Sequence, residues 1–393
     1  MSDFLLSFDL RFTKIVRRSA SPGRSALDFG LSFVGEVFVK ISFMTACAML
    51  FSTSALAATE KIGVLFSSFG DVDQAEEVEP FVKKTLGDPD VVPVPQFVKP
   101  ILTRLGWKMS KKDVLAEYEA IGWATHFRES SQKQAQQVAS IMRERGYDAL
   151  GYSGFTMTFP FIAETLGKIQ HDNVQRLVIF YQGAQWSRPT SYVVYRETAR
   201  YLAAHPEWNV RVTMVRSFSD DTRFRNLIID DIQSRLNTDF LGVSPNDVCI
   251  VLPAHGNPTK YNDAGDPAYD QMLGVFAAVR KSFPQYKVFH GFQNHSELPG
   301  LTWTQPQMDE VMKSVGKDQC NNVLINGRTS FTIDSLETLY DHAIGEVADL
   351  HSVAPHKRVL VEKMFNEELP FSTLMADLAV EAMQGKGALA ELR

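Results

Sequence analysis

The chain has 393 residues, 45% hydrophobic and 22% charged, which is the make-up of a globular protein with room for two ordinary domains. Its net charge is −6 and it carries no extended Lys/Arg run, so the electrostatic footprint of a nucleic-acid binder is excluded. Three cysteines, with no CxxC pair or Cys cluster, exclude an iron–sulfur centre and a thiolate zinc site.

The first 57 residues differ from the rest. Ile41 to Phe51 is an apolar stretch preceded by Lys40 and followed by small residues ending in Ala55-Leu56-Ala57. That is the layout of a cleaved export leader. The stretch is too short to cross a bilayer, which takes roughly 20 apolar residues. The expectation is an exported or periplasmic protein; a cytoplasmic or membrane-associated location is the alternative. Beyond this leader only Cys249 and Cys320 remain, and Cys249 reads as a small core residue.

Lys61–Ser67 reads as a buried strand that ends in a turn, Ser68-Phe69-Gly70-Asp71. Helical spacing follows over 74–86, then in two segments, 96–105 and 112–121, and again over 131–145. Gly122 and Gly146 close the last two. From Asp148 strands and helices alternate. Strands are predicted over 148–152, 174–181, 210–215, 248–252, 286–292, 322–326 and 358–364, with helices between them and a last helix over 370–383. Regular βα units of this length predict an α/β protein with parallel sheets covered on both faces. The number of strands suits two Rossmann-like, doubly wound domains. The predicted division is a leader over 1–57, an N-terminal domain over 58–207, a C-terminal domain over 208–352, and a strand and helix over 353–393 that pack back on the first domain.

Common catalytic signatures are missing. The sequence has no GxxxxGK[ST] loop, no GxGxxG after the first strand, no HExxH and no GxSxG. Candidate chemistry lies instead at predicted strand ends. His255 follows the 248–252 strand beyond Pro253, in the position where open α/β sheets bind ligands. A neutral imidazole there can accept a proton or ligate a divalent metal. Glu337 opens a later helix, with Asp341 one turn on, so the two carboxylates share a face. Asp334 and Glu337 are also spaced as a capping box, a purely structural alternative. Gln293, Trp303, Tyr181 and Trp186 stand at or just beyond other strand ends. His, Glu, Trp, Tyr and Gln with few cations suit a large, flat, largely apolar ligand. Asp220-Asp221 reads as a helix cap.

Taken together these residues resemble the ferrochelatase family. The resemblance rests on Ala254-His255-Gly256, Gly265-Asp266-Pro267, Phe292-Gln293-Asn294 with Trp303, and Asp334-Ser335 with Glu337-Thr338-Leu339-Tyr340-Asp341, in family order over about residues 61 to 385. The sequence departs from the family pattern at Ser335, where a histidine is usual, and at Gly345, where some members carry an acid. The resemblance implies two Rossmann-like domains around a porphyrin cleft and insertion of ferrous iron into a porphyrin, as in haem biosynthesis. Iron and porphyrin would both be substrates, with no iron–sulfur cluster. His255 is implied as base, assisted by Glu337, and His255, Glu337 and Asp341 are implied as the metal ligands. Trp303, Gln293, Tyr181, Trp186 and Ser335 are implied around the porphyrin. Peripheral membrane contact and a non-catalytic haem-, porphyrin- or metal-binding role stay open.

Overall fold

The computed structural model describes residues 60–123, 125–294 and 302–392. The expected export leader over 1–57 and His295 lie outside the described residues. Those from Thr59 on form one compact unit.

Strand β1 (Lys61–Ser68) is apolar from Ile62 to Phe66 and is buried from Ile62 on. It is the second strand of a five-stranded sheet. Beside it lie β2 (Asp148–Phe155) on one side and β3 (Arg176–Tyr181) on the other, followed by β4 (Arg211–Ser217), all parallel. A short antiparallel strand, β9 (Ala388–Glu391), closes the far edge against β4. The second sheet repeats this arrangement. Its first strand, β5 (Val248–His255), lies between β6 (Lys287–Gln293) and β7 (Asn322–Ile325), and β8 (Arg358–Val361) follows at the edge. The orders β2-β1-β3-β4 and β6-β5-β7-β8 are the same path taken twice. In each sheet the first strand is therefore the point at which the chain leaves in both directions, where open α/β sheets form a crevice.

Two expectations about organisation change. The division at 207 falls on the wrong side of a strand: β4 is hydrogen-bonded to β3 from Arg176↔Arg211 to Phe180↔Val215, so the first sheet runs through Ser217. The 353–393 segment is also split. Strand β8 extends the second sheet beside β7. The last helix (Leu369–Met383) returns to the first, packing on the helix Phe127–Glu144 and on β4. One continuous apolar core runs from Phe66 and Phe180 through Phe371 and Met375 to Leu252 and Phe292.

Cys249 and Cys320, both fully buried, form a disulfide, so the reading of Cys249 as a plain core residue is corrected. Cys320 stands just before β7, which pairs with β5 in a register that sets Cys249 opposite Val323. Spacing in sequence gave no hint of this pairing, because the two residues are 71 positions apart. The two segments predicted over 96–121 form a single helix, α2 (Lys99–Ala120), which follows α1 (Ala75–Gly87). Phe97 just before it, then Ile101, Leu105 and Met109, recur every fourth residue and are 52–82% exposed.

Candidate active site

His255 is the last residue of β5. The strand does not stop at Pro253 but stays paired with β6 to His255↔Gln293. Proline is tolerated for a local reason. The Val251 carbonyl accepts from Asn326 N and the Pro253 carbonyl accepts from Thr329 Oγ1, so both residues turn their polar groups toward β7. That strand's pairing with β5 ends at Val251↔Ile325, and no donor is needed from Pro253. The extended backbone then delivers the His255 side chain to the crevice at the strand end.

One ring nitrogen is fixed. His255 Nδ1 lies 2.6 Å from the Gly256 carbonyl oxygen, which only accepts, so Nδ1 carries the hydrogen. In the neutral ring Nε2 then holds the lone pair. Nε2 faces Glu337, 3.6 Å from Oε1, and the two side chains are 35 and 36% exposed. A proton acceptor with a carboxylate beside it thus opens to solvent.

Glu337 begins a π-helix, Glu337–Gly345, which runs into the α-helix Glu346–Val353. The Glu346 amide reaches back to the Asp341 carbonyl, five residues away. The inward residues Thr338, His342 and Glu346 recur every four positions, as this wider winding requires. The capping-box alternative for Glu337 gives way to another arrangement. Asp334 Oδ1 accepts from Met364 N at 3.1 Å and Oδ2 from Asn366 Nδ2 at 2.8 Å, while Thr338 Oγ1 takes the Ser335 amide. Those groups fix the start of the helix and leave the Glu337 carboxylate turned to His255. Asp341 lies one turn further along the same helix.

Gln293 joins the pair. It stands opposite His255 in the sheet, and its Nε2 reaches the Glu337 carbonyl at 3.5 Å. Its buried Oε1 has no hydrogen-bond partner among the described residues, nor does Ser335 Oγ. Tyr181 ends β3; burial, and then the charge of Glu337, push its phenol well above the ordinary range. Its ring occupies space that a side chain at Gly183 would need, with a Cβ there only 2.8 Å from the ring. Trp303 bridges to Pro258. Trp186 is engaged otherwise: its ring packs edge-on to Tyr195 and under the Arg216 guanidinium at 4.6 Å. The structure therefore gathers His255, Glu337, Gln293 and Tyr181, and sets Trp186 into packing.

A family profile named Ferrochelatase matches residues 61–383. The chain belongs to the ferrochelatase family. Its relatives in that family include a ferrochelatase of Prochlorococcus marinus strain MIT 9515, 25% identical over 335 residues, spanning 83% of this chain and 84% of the relative. Ferrochelatase-1, chloroplastic/mitochondrial, of Arabidopsis thaliana is 28% identical over 342 residues, spanning 83% and 72%. The fold is similar to that of SirB from Bacillus subtilis with Fe3+, at a TM-score of 0.50 and 12% identity, over 84% of this chain and 99% of that one.

Two buried groups of this ferrochelatase-family chain escaped sequence reasoning. His342, on the inner side of the π-helix, sets Nδ1 3.2 Å from Glu346 Oε1. Burial disfavours its charge, but Glu346, with Asp341 and Glu337 behind it, holds the imidazole above its usual value. Asp71, in the turn after β1, is likewise buried. Burial pushes its carboxyl up to about 6, against hydrogen bonds from Tyr118, Leu336 and Val72 that favour the charged form. Only the hydrophobic surroundings of Asp71 in sequence, between Gly70 and Val72, could have drawn attention to it.

Proposed function

We propose that this protein inserts ferrous iron into a porphyrin, with His255 as the base and Glu337 as its partner. The observation that carries the reading is the His255 pair: Nδ1 held by the Gly256 carbonyl, which leaves the lone pair of the neutral ring on Nε2, 3.6 Å from Glu337. A porphyrin must lose two N–H protons as a divalent metal enters, so the reaction needs an acceptor near the ring nitrogens and a way to pass protons on. His255 Nε2 takes the two pyrrole protons one after the other, Glu337 relaying the first to solvent before the second is taken, and the metal forms bonds to the four ring nitrogens as they are deprotonated. Asp341, one turn along, offers a further carboxylate to the metal or the proton. Gln293, Tyr181, Ser335 and Trp303 surround the ring, and Trp186 supports that wall from behind.

The buried disulfide, together with the leader expected from the sequence, supports a place of action in an oxidising compartment outside the cytoplasm. The exposed row Phe97, Ile101, Leu105 and Met109 supports a peripheral contact with a lipid surface.

The test is metal insertion by the purified protein. Protoporphyrin or coproporphyrin is mixed with zinc or ferrous iron, and the Soret band is followed. Wild type should turn over, and His255→Ala should lose about two to four orders of magnitude of rate while retaining porphyrin affinity by fluorescence quenching. Tight porphyrin binding with no turnover in wild type would replace catalysis with a carrier role, and failure to bind either porphyrin would sink both.

A further inference from the structure

Asp71 makes contacts that the chemistry at His255 does not explain. Its Oδ1 accepts from Val72 N at 2.7 Å and from the Tyr118 hydroxyl, and its Oδ2 accepts from Leu336 N at 2.9 Å. Tyr118 sits near the C-terminal end of α2 and is 1% exposed, stacked on Trp123 at 5.1 Å. Leu336 is the residue before Glu337 and packs in one apolar cluster with Tyr118, Trp107, Val72 and Val78. One buried carboxylate thus joins three separate pieces of chain: the turn after β1, the long helix α2, and the backbone that presents Glu337. A carboxylate is kept there although burial opposes its charge.

The geometry points to Asp71 as a positioning residue of the insertion site, which locks α2 to the Leu336–Glu337 backbone so that the helix and the carboxylate move as one. The inference rests on the proposed function. The chemistry of the link explains why an acid is needed. Both oxygens must accept, one from the phenol and the Val72 amide, the other from the Leu336 amide. Asparagine has nearly the same shape but only one accepting oxygen, and its NH2 would face a donor on one side. Asp71→Asn therefore cuts one link without emptying the site, and Tyr118→Phe cuts the other.

Full-length wild type, Asp71→Asn, Tyr118→Phe and the double variant would be compared in two ways. In zinc insertion, each single variant should lower kcat about tenfold, as loss of a hydrogen bond to a charged group does, with porphyrin affinity within twofold of wild type. The double variant should be no worse than Asp71→Asn, because the two hydrogen bonds act in series between α2 and Leu336 and loss of either one already uncouples them. In hydrogen exchange read by mass spectrometry, either single variant should speed exchange both in the C-terminal half of α2 and in the segment around Leu336. A kcat within twofold of wild type for both variants, or faster exchange only beside the substituted residue, would overturn the inference. The exchange arm needs no turnover, so a wild type that inserts no metal defeats the proposed function and still leaves the Asp71 link tested.

Discussion

At the scale of single residues, the site depends on which hydrogen bond each polar atom makes. In the proposed chemistry His255 would act through Nε2, because Nδ1 is tied to its neighbour's carbonyl. Glutamine at this position keeps a polar side chain but no basic nitrogen, so His255→Gln should be about as inactive as His255→Ala in the insertion assay. Glu337→Gln keeps the shape and removes the charge; a drop in rate of about tenfold or more is expected, the lower end of what a positioned acid or base contributes. Asp71 gives a prediction about stability and pH. Its folded-state value is raised from 3.8 to about 6, so the folded protein holds this proton more tightly than the unfolded chain. The stabilisation this group gives is full below about pH 4 and is lost as pH rises toward 6. Between pH 4 and 7, denaturant melts should show wild type losing about 3 kcal/mol relative to Asp71→Asn; parallel pH profiles for the two proteins would refute the assignment. His255 and Glu337 were legible as candidates because they follow and precede regular elements. Asp71 was not, because a carboxylate after a strand reads as an ordinary turn residue until its three partners are seen in space.

At the scale of elements, hydrophobic periodicity gave the strands and most helices because each βα unit buries a run of apolar residues that belongs to it alone. Its failures have separate causes. Strand β9 is four residues long and exposed at both ends, so its apolar stretch is too short to mark a strand. The single helix α2 looked like two because Gly106 and the polar stretch Ser110–Asp113 interrupt its pattern. Glycine there has a packing role, since a Cβ on Gly106 would lie 2.7 Å from Leu86. The π-winding of Glu337–Gly345 was invisible, as the choice between α and π is made by what Thr338, His342 and Glu346 pack against. A tighter contact exists between β2 and the helix Phe127–Glu144. A Cβ on Gly151 would stand 2.2 Å from the Ala135 carbonyl oxygen, so backbone approaches backbone. Gly151→Ala should destabilise the protein by about 3 kcal/mol, at the upper end of overpacking costs, measured as a lowered midpoint in chemical denaturation with no change in the His255 pair.

At the scale of the whole molecule, two largely parallel sheets were legible from alternation alone, and so was the placement of the candidate residues near strand ends. The boundary between them was not. A loop after a helix looks like a domain border in sequence, but hydrogen bonding assigned β4 to the first sheet, and the last helix ties the two halves into one core. The disulfide was also beyond sequence reading, because only the fold brings positions 249 and 320 together. Closing a loop of 71 residues, it should stabilise the fold by about 4 kcal/mol on the chain-entropy view. The Cys249→Ala, Cys320→Ala double variant should unfold at correspondingly lower denaturant, and an unchanged midpoint would remove the bond from the account of stability.

Cys249 and His255 share β5, so the strand that presents the candidate base is also the strand that is cross-linked. This bears on how activity must be measured. Iron is commonly kept ferrous with thiols, and a thiol strong enough to do so can also open Cys249–Cys320 once the protein breathes, so a slow decline in rate would be assigned to the wrong partner. Zinc needs no reductant, and ascorbate does not exchange with disulfides. Iron kinetics in ascorbate, set beside zinc kinetics with and without dithiothreitol, would separate loss of metal from loss of the cross-link.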